Sequence, residues 1–326
     1  MFTVFFTSDK YYSNGLNAEW ADKRFNNKVA NAALMGFNNT TFKDFSLSLQ
    51  QDMFTPENTS MSAVDSSDRP YAGQLFFAYS KVSNHFWKGQ KLSSVLIFGV
   101  QGPAAMTRQV QNGVHELIGN DEVMGWDNQL SNGLILDYQV DYLGLIPLST
   151  SFTEFHYFGT IRAGTLNTFG DWGLRFKIGY YTDSYLNSSG LYNPKQKYAF
   201  TAKQVENMSP SRRKMISKKV RRKSFEEQAK YLNAKLNRKF QFYCYLEEFG
   251  TYYLRNGSVE GSLIQFQPNI YEYNYQDYHH YYLGGRYGIV FQYANVQLEY
   301  LRILHTETYR ESGYFGYGKF VFSWVF

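Results

Sequence analysis

The chain has 326 residues, a formal net charge of +5, and 29 Tyr and 28 Phe that bring its aromatic share to 19 %, equal to its charged share. No run of about 18 apolar residues occurs, which excludes a membrane-spanning helix, and a single cysteine, Cys244, excludes an intramolecular disulfide or a thiolate metal centre. So many aromatic residues suit a transmembrane β-barrel, in which aromatic girdles mark both interfaces and apolar side chains face lipid on every strand.

In chain order, Phe2, Val4 and Phe6 alternate with Thr3 and Thr7 in a first strand that ends at Ser8-Asp9. The opening residues are too short and too weakly basic for a signal peptide, as expected of a mature chain. Further strands are read at Leu16 to Lys23, Phe42 to Gln51, Tyr71 to Lys81, Lys91 to Val100, Leu134 to Leu143, Phe152 to Ala163, Asp171 to Tyr181, Phe240 to Arg255, Gly261 to Phe291, Asn295 to His305 and Gly313 to Phe326. The tenth is too long for one strand and must contain a loop. The clearest alternation sets Leu134, Leu136, Tyr138, Val140 and Tyr142 against Ile135, Asp137, Gln139 and Asp141. Charge on one face and bulky apolar groups on the other fit a polar barrel interior with lipid outside. Asp137, Asp141, Glu19, Arg175, Lys177, Glu299 and Arg302 are all expected to point inward.

Between Val100 and Leu134 the pattern changes. Gly102-Pro103 ends a strand, a short helix begins near Thr107, and Gly119 stops it. Gln111 and His115, four residues apart, project from one helix face. A histidine can take a proton from water near neutral pH while a neighbouring amide holds a reacting group; the plainer reading is two solvated side chains.

The positive charge is local. Residues 203–238 hold twelve Lys or Arg against three Glu, a surplus of nine that leaves the rest of the chain at −4. This basic insertion contains helix formers and no Gly, with Ser209-Pro210 as a helix start. It reads as a ligand for anionic headgroups or as a solvated helical hairpin, and it lacks the interleaved aromatics of a nucleic-acid site.

About twelve strands, an even number, allow an antiparallel barrel to close, which removes the edges that lipid cannot hydrogen-bond. With a periplasmic N-terminus, the segments Ser8 to Ser13 and Gln51 to Asp68 and the Gln111/His115 helix share the extracellular rim, while the basic insertion falls on the periplasmic side. Asp68-Arg69 reads as a rim ion pair. Asp9 can hold a divalent cation, and His115 can deprotonate water. Asp121 or Glu122 can orient the imidazole.

Several separate motifs are then familiar in order and spacing: Ser8-Asp9, Tyr12-Ser13-Asn14-Gly15-Leu16, Gln51-Asp52-Met53-Phe54-Thr55-Pro56, Asp68-Arg69-Pro70-Tyr71-Ala72-Gly73, Gly99-Val100-Gln101-Gly102-Pro103 and Gln111-Asn112-Gly113-Val114-His115. This set resembles the lipid A 3'-O-deacylase family of Gram-negative outer membranes, motif by motif over roughly the first 140 residues. The resemblance implies a twelve-stranded barrel with an active site between its wall and the third-loop helix. It also implies calcium-dependent hydrolysis of the 3'-linked acyloxyacyl group of lipid A in lipopolysaccharide. By this resemblance His115 matches the general base, Gln111 its neighbour, and Asp9 the acidic member of an Asn-Asp pair that binds the metal. Ser13 preserves a hydroxyl, Asp121 replaces a Glu, and Ser8 replaces the Asn of the pair. Residues 57–67 contain no Lys or Arg where relatives carry one near the substrate. The expectation is a single-domain, monomeric outer-membrane esterase that binds no nucleic acid and faces the outer leaflet. A non-catalytic pore or structural barrel is the alternative, and a soluble β-rich carbohydrate-binding protein is a third reading.

Overall fold

Period-two alternation produces one long antiparallel meander. The computed structural model describes residues 11–12, 14–38, 40, 42–186, 199–306 and 314–324. Its strands are β1 (Asn14–Ala21), β2 (Phe42–Phe54), β3 (Ala72–His85), β4 (Gln90–Gln101), β5 (Gly133–Leu145), β6 (Thr153–Gly164), β7 (Asn167–Tyr180), β8 (Phe240–Asn256), the two-residue β9 (Ile264–Gln265), β10 (Tyr281–Tyr293), β11 (Val296–His305) and β12 (Phe315–Trp324). Each pairs with its neighbour in chain order except β9, which adds to β5 and leaves β8 beside β10. The sheet is a curled, barrel-like wall of the expected class. The expected strand Phe2 to Thr7 lies outside the described residues. The overlong Gly261 to Phe291 divides into β9, a connection and β10.

Register decides which side chains meet lipid. Across β2, β3 and β4, Leu49 pairs with Phe77 and Phe77 with Phe98, and all three are exposed on the outer face. Their neighbours Gln50, Phe76 and Ile97 line the interior. The lumen holds a cavity of about 850 Å³ lined by Asp141, Arg162, Asp171, Arg175, Lys177, Glu247, Arg286 and Glu299. Arg175 and Arg286 both reach the Glu247 carboxylate, at 2.6 and 3.2 Å. One inward expectation is corrected. Arg302 lies on the outer face, in register with Tyr287 and between exposed Leu298 and Leu304, because it is an odd number of residues from inward Glu299. Glu19 shares the inward row of Asn17 but remains exposed.

Helices occupy the connections. α1 (Lys28–Ala33) lies between β1 and β2, and α2 (Thr107–Ile118) between β4 and β5. The β7–β8 insertion carries α3 (Ala202–Glu206), α4 (Pro210–Arg213) and α5 (Phe225–Leu236), and α6 (Gly257–Glu260) follows β8. No helix among the described residues is long and apolar enough to cross a membrane. Strand alternation puts α2 and the β7–β8 insertion at opposite ends of the wall.

The insertion is broken into short helices rather than one hairpin. Ser224 caps α5 by accepting the Glu227 N–H at 3.3 Å, and a Thr201–Gln204 capping box starts α3. Nor is the insertion a merely solvated appendage. Val205, Met208, Ile216, Leu232 and Leu236 form a buried cluster with Phe86 and Leu143 of the barrel end. Arg212 is buried, with two bonds to Asp183 at 3.2 and 3.1 Å and its guanidinium 4.1 Å from the Phe86 ring. Ser184 donates to inward-facing Glu154 at 2.5 Å, and Thr182 takes the inward Gln241 side chain on its N–H at 2.7 Å. The insertion therefore plugs this end of the barrel.

Candidate active site on the outer wall

At the other end, the β4–β5 connection folds back over the outside of the wall. Gly102 (φ 94°) turns the chain, Met106 (φ 56°) adopts the left-handed region, and α2 follows. Gly119 (φ 76°) closes α2 and its N–H returns to the His115 and Glu116 carbonyls. α2 rests on the outward row of β2 and β3. Gln51 donates to the Ala105 carbonyl at 2.6 Å, and Met53 packs with Tyr71, Val123 and Trp126. Gly73, in register with Met53, makes the approach possible, because a Cβ there would stand 2.1 Å from the Thr107 hydroxyl. One helix face, Thr107, Gln111 and His115, thus turns toward the wall and its flanking loop. The last turn of the helix carries bare apolar side chains, with Leu117 86 % and Ile118 51 % exposed.

His115 is half-buried, and its Nδ1 lies 2.7 Å from the Asp121 main-chain oxygen. A carbonyl can only accept, so Nδ1 carries the proton and Nε2 keeps its lone pair. That is the tautomer a general base needs. Asp121 thus holds the ring through its backbone, while its carboxylate is exposed; Glu122 instead accepts from Asn112 at 2.8 Å. Gln111 is buried, and its Oε1 accepts the indole N–H of Trp126 at 2.7 Å, leaving the NH₂ to donate. Trp126 is packed 5.1 Å from the Tyr71 ring, and burial pushes the Tyr71 phenol up to about 12, so it stays neutral.

The β2–β3 connection completes this side. Met124 donates to the Thr59 carbonyl at 3.1 Å, Leu130 to that of Tyr71 at 2.9 Å, and Asn128 to that of Ser62 at 2.7 Å. Asp68 accepts the N–H of Glu57 and of Arg69, at 2.7 and 2.6 Å. Buried Arg69 donates to the Tyr11 and Ser258 carbonyls at 3.1 and 2.9 Å. The expected rim ion pair is thus a backbone clamp joining three connections.

Of the expected site residues, Gln111, His115 and Asp121 come together. Ser8, Asp9 and Ser13 lie outside the described residues. Neighbouring Tyr12 hydrogen-bonds to lumen-facing Asp52 at 2.9 Å. Trp126 and Asn112 were not singled out by sequence; a lone Trp just after a helix is the signal that could have found the first. Among the described residues no group of three or more His, Cys, Asp or Glu side chains gathers to hold a metal ion. Asp9, the residue the resemblance implies for calcium, itself lies outside the described residues.

The model of the family described as outer membrane protein LpxR matches residues 2–326. Comparison with individual curated proteins gives no match. Among solved structures, LpxR from Salmonella typhimurium is similar, with a TM-score of 0.64 at 14 % identity, over 97 % of this chain and 90 % of that one. At that identity the structural likeness speaks for the fold alone.

Proposed function

Because the chain belongs to the LpxR family of outer-membrane proteins, we propose that it is an esterase that removes the 3'-linked acyloxyacyl group from lipid A, with His115 as general base. The observation that carries this reading is the side of the wall on which His115 sits. α2 covers the lipid-facing row of β2 and β3, so the imidazole meets what approaches through the membrane rather than through the lumen. The bare apolar edge at Leu117 and Ile118 suits immersion in the same leaflet.

In the reaction, Nε2 of His115 takes a proton from water as the oxygen attacks the ester carbonyl. The Asp121 carbonyl, bonded to Nδ1–H, keeps the ring in that tautomer and favours the imidazolium that forms. The imidazolium then returns the proton to the departing sugar oxygen. Gln111, fixed by Trp126, offers its NH₂ to the substrate carbonyl or the water. Ser8 and Ser13 stand beside Asp9 in the sequence and complete the proposal for the site. A calcium ion held by Asp9 would supply Lewis-acid polarisation of the carbonyl.

This reading puts the α2 end in the outer leaflet and makes lipopolysaccharide the partner, with the chain acting as a monomer. Purified protein incubated with lipopolysaccharide in detergent, with and without chelator, tests it by mass spectrometry of lipid A. Loss of the 3' acyloxyacyl mass only without chelator is expected; unchanged lipid A in both overturns the activity, and equal loss in both removes the metal from it.

A further inference from the structure

The basic charge of the insertion is not used by the site on α2. Arg212 and Lys235 are buried in the plug, but Lys203, Lys214, Lys218, Lys219, Arg222 and Lys223 are exposed. Some cations of this end reach the wall itself. The Lys214 ammonium donates to the Pro147 carbonyl at 3.4 Å, in the β5–β6 turn beside exposed Leu148 and Phe152. The Arg238 guanidinium lies 3.8 Å from the Tyr180 ring centroid. Arg24, which also pairs with Asp22 at 3.0 Å, lies 5.0 Å from that of Trp20.

Those rings define a level. Trp20, Tyr180, Phe240, Tyr293 and Trp324 are all outward-facing, exposed, and within two residues of the strand terminus that lies on the insertion side. Aromatic side chains at strand ends form the girdle at the boundary between hydrocarbon and headgroups. A cation stacked on a girdle ring therefore sits where a lipid phosphate sits.

We propose that the insertion end of the barrel binds the anionic phospholipid headgroups of the leaflet around it, through this ring of cations above an aromatic girdle. The level of Arg238 and Lys214 selects this partner over a polymer lying beneath the membrane, which would need only the cations on the underside of the plug. The cations hold the plug rim to the surrounding leaflet and give this end a preferred lipid shell.

The test uses the full chain in vesicles of brominated phosphatidylglycerol or brominated phosphatidylethanolamine, with tryptophan quenching as the readout of relative association. For the native protein, a preference of about fivefold or more for phosphatidylglycerol is expected at low salt, falling toward parity in about 1 M NaCl. Combined Arg24→Gln, Lys214→Gln and Arg238→Gln should remove most of it, and Arg24→Lys, Lys214→Arg and Arg238→Lys together should keep it. Equal quenching by the two lipids in the native protein overturns the proposal. So does a preference unchanged in the glutamine variant, or salt-sensitive co-sedimentation with peptidoglycan sacculi without any lipid preference.

Discussion

The two ends of the barrel differ in charge and in how they are held. The β2–β3 and β4–β5 connections, residues 55–71 and 102–132, carry seven Asp or Glu and two Arg. They are joined mainly by side chains and N–H groups reaching carbonyls, over one small cluster around Met53 and Trp126. The insertion end is basic on its surface and apolar beneath, with a large cluster from Phe86 to Leu236 and a buried Arg212–Asp183 pair. An end built from exposed hydrogen bonds can open locally at low cost, whereas one built on burial stays shut. For the lipid esterase proposed above, the first property suits the end where substrate enters and the second the end where the lumen would leak.

That contrast can be broken most strongly at Arg212. Arg212→Met leaves the Asp183 carboxylate buried without its partner, at a cost of about 3–5 kcal/mol. The plug should unseat, read as new proteolysis between α3 and α5 and as conductance in planar bilayers, while acyl release at α2 persists.

A pH series sharpens the same point. Burial lowers the Lys235 ammonium to about 8, with Asp183 and Glu154 opposing the shift. Below that value the folded plug holds a buried charge; between about 8 and the ordinary value of 10.5 the unfolded state binds more protons, so stability rises with pH. Plug protection from protease should therefore be greater at high pH than at neutral pH, by about 1–3 kcal/mol, and the trend should vanish in Lys235→Met.

At the α2 end smaller losses should be visible as activity. Trp126→Phe keeps the packing against Tyr71 but strands the Gln111 Oε1, worth about 1–3 kcal/mol. Turnover should fall roughly tenfold, with the barrel still folded by gel mobility. Leu117→Ser removes apolar surface from the bare edge of α2, about 1 kcal/mol of membrane contact. It should raise the KM several-fold for lipopolysaccharide in vesicles and leave that for detergent-dispersed substrate alone.

The strands were readable because alternation has a period of two and the outward row is aromatic. The Gln111/His115 helix was readable because Gly102-Pro103 and Gly119 bracket it. Main-chain partners left no trace, so Asp121 was expected to reach His115 through its carboxylate and contacts it through its carbonyl. Arg302 was misplaced because it was grouped with Glu299 by charge, although three residues along a strand change face. In the insertion the run of Lys and Arg concealed a buried helical stripe, Ala229, Leu232 and Leu236, which charge counting passes over.

The most direct test of the account is acyl release by His115→Ala beside the native protein, in detergent, with gel mobility to show that both are folded. The account predicts a fall of about 10²- to 10⁴-fold in the turnover number with the barrel intact. A folded variant that releases the acyl group at the native rate would contradict it.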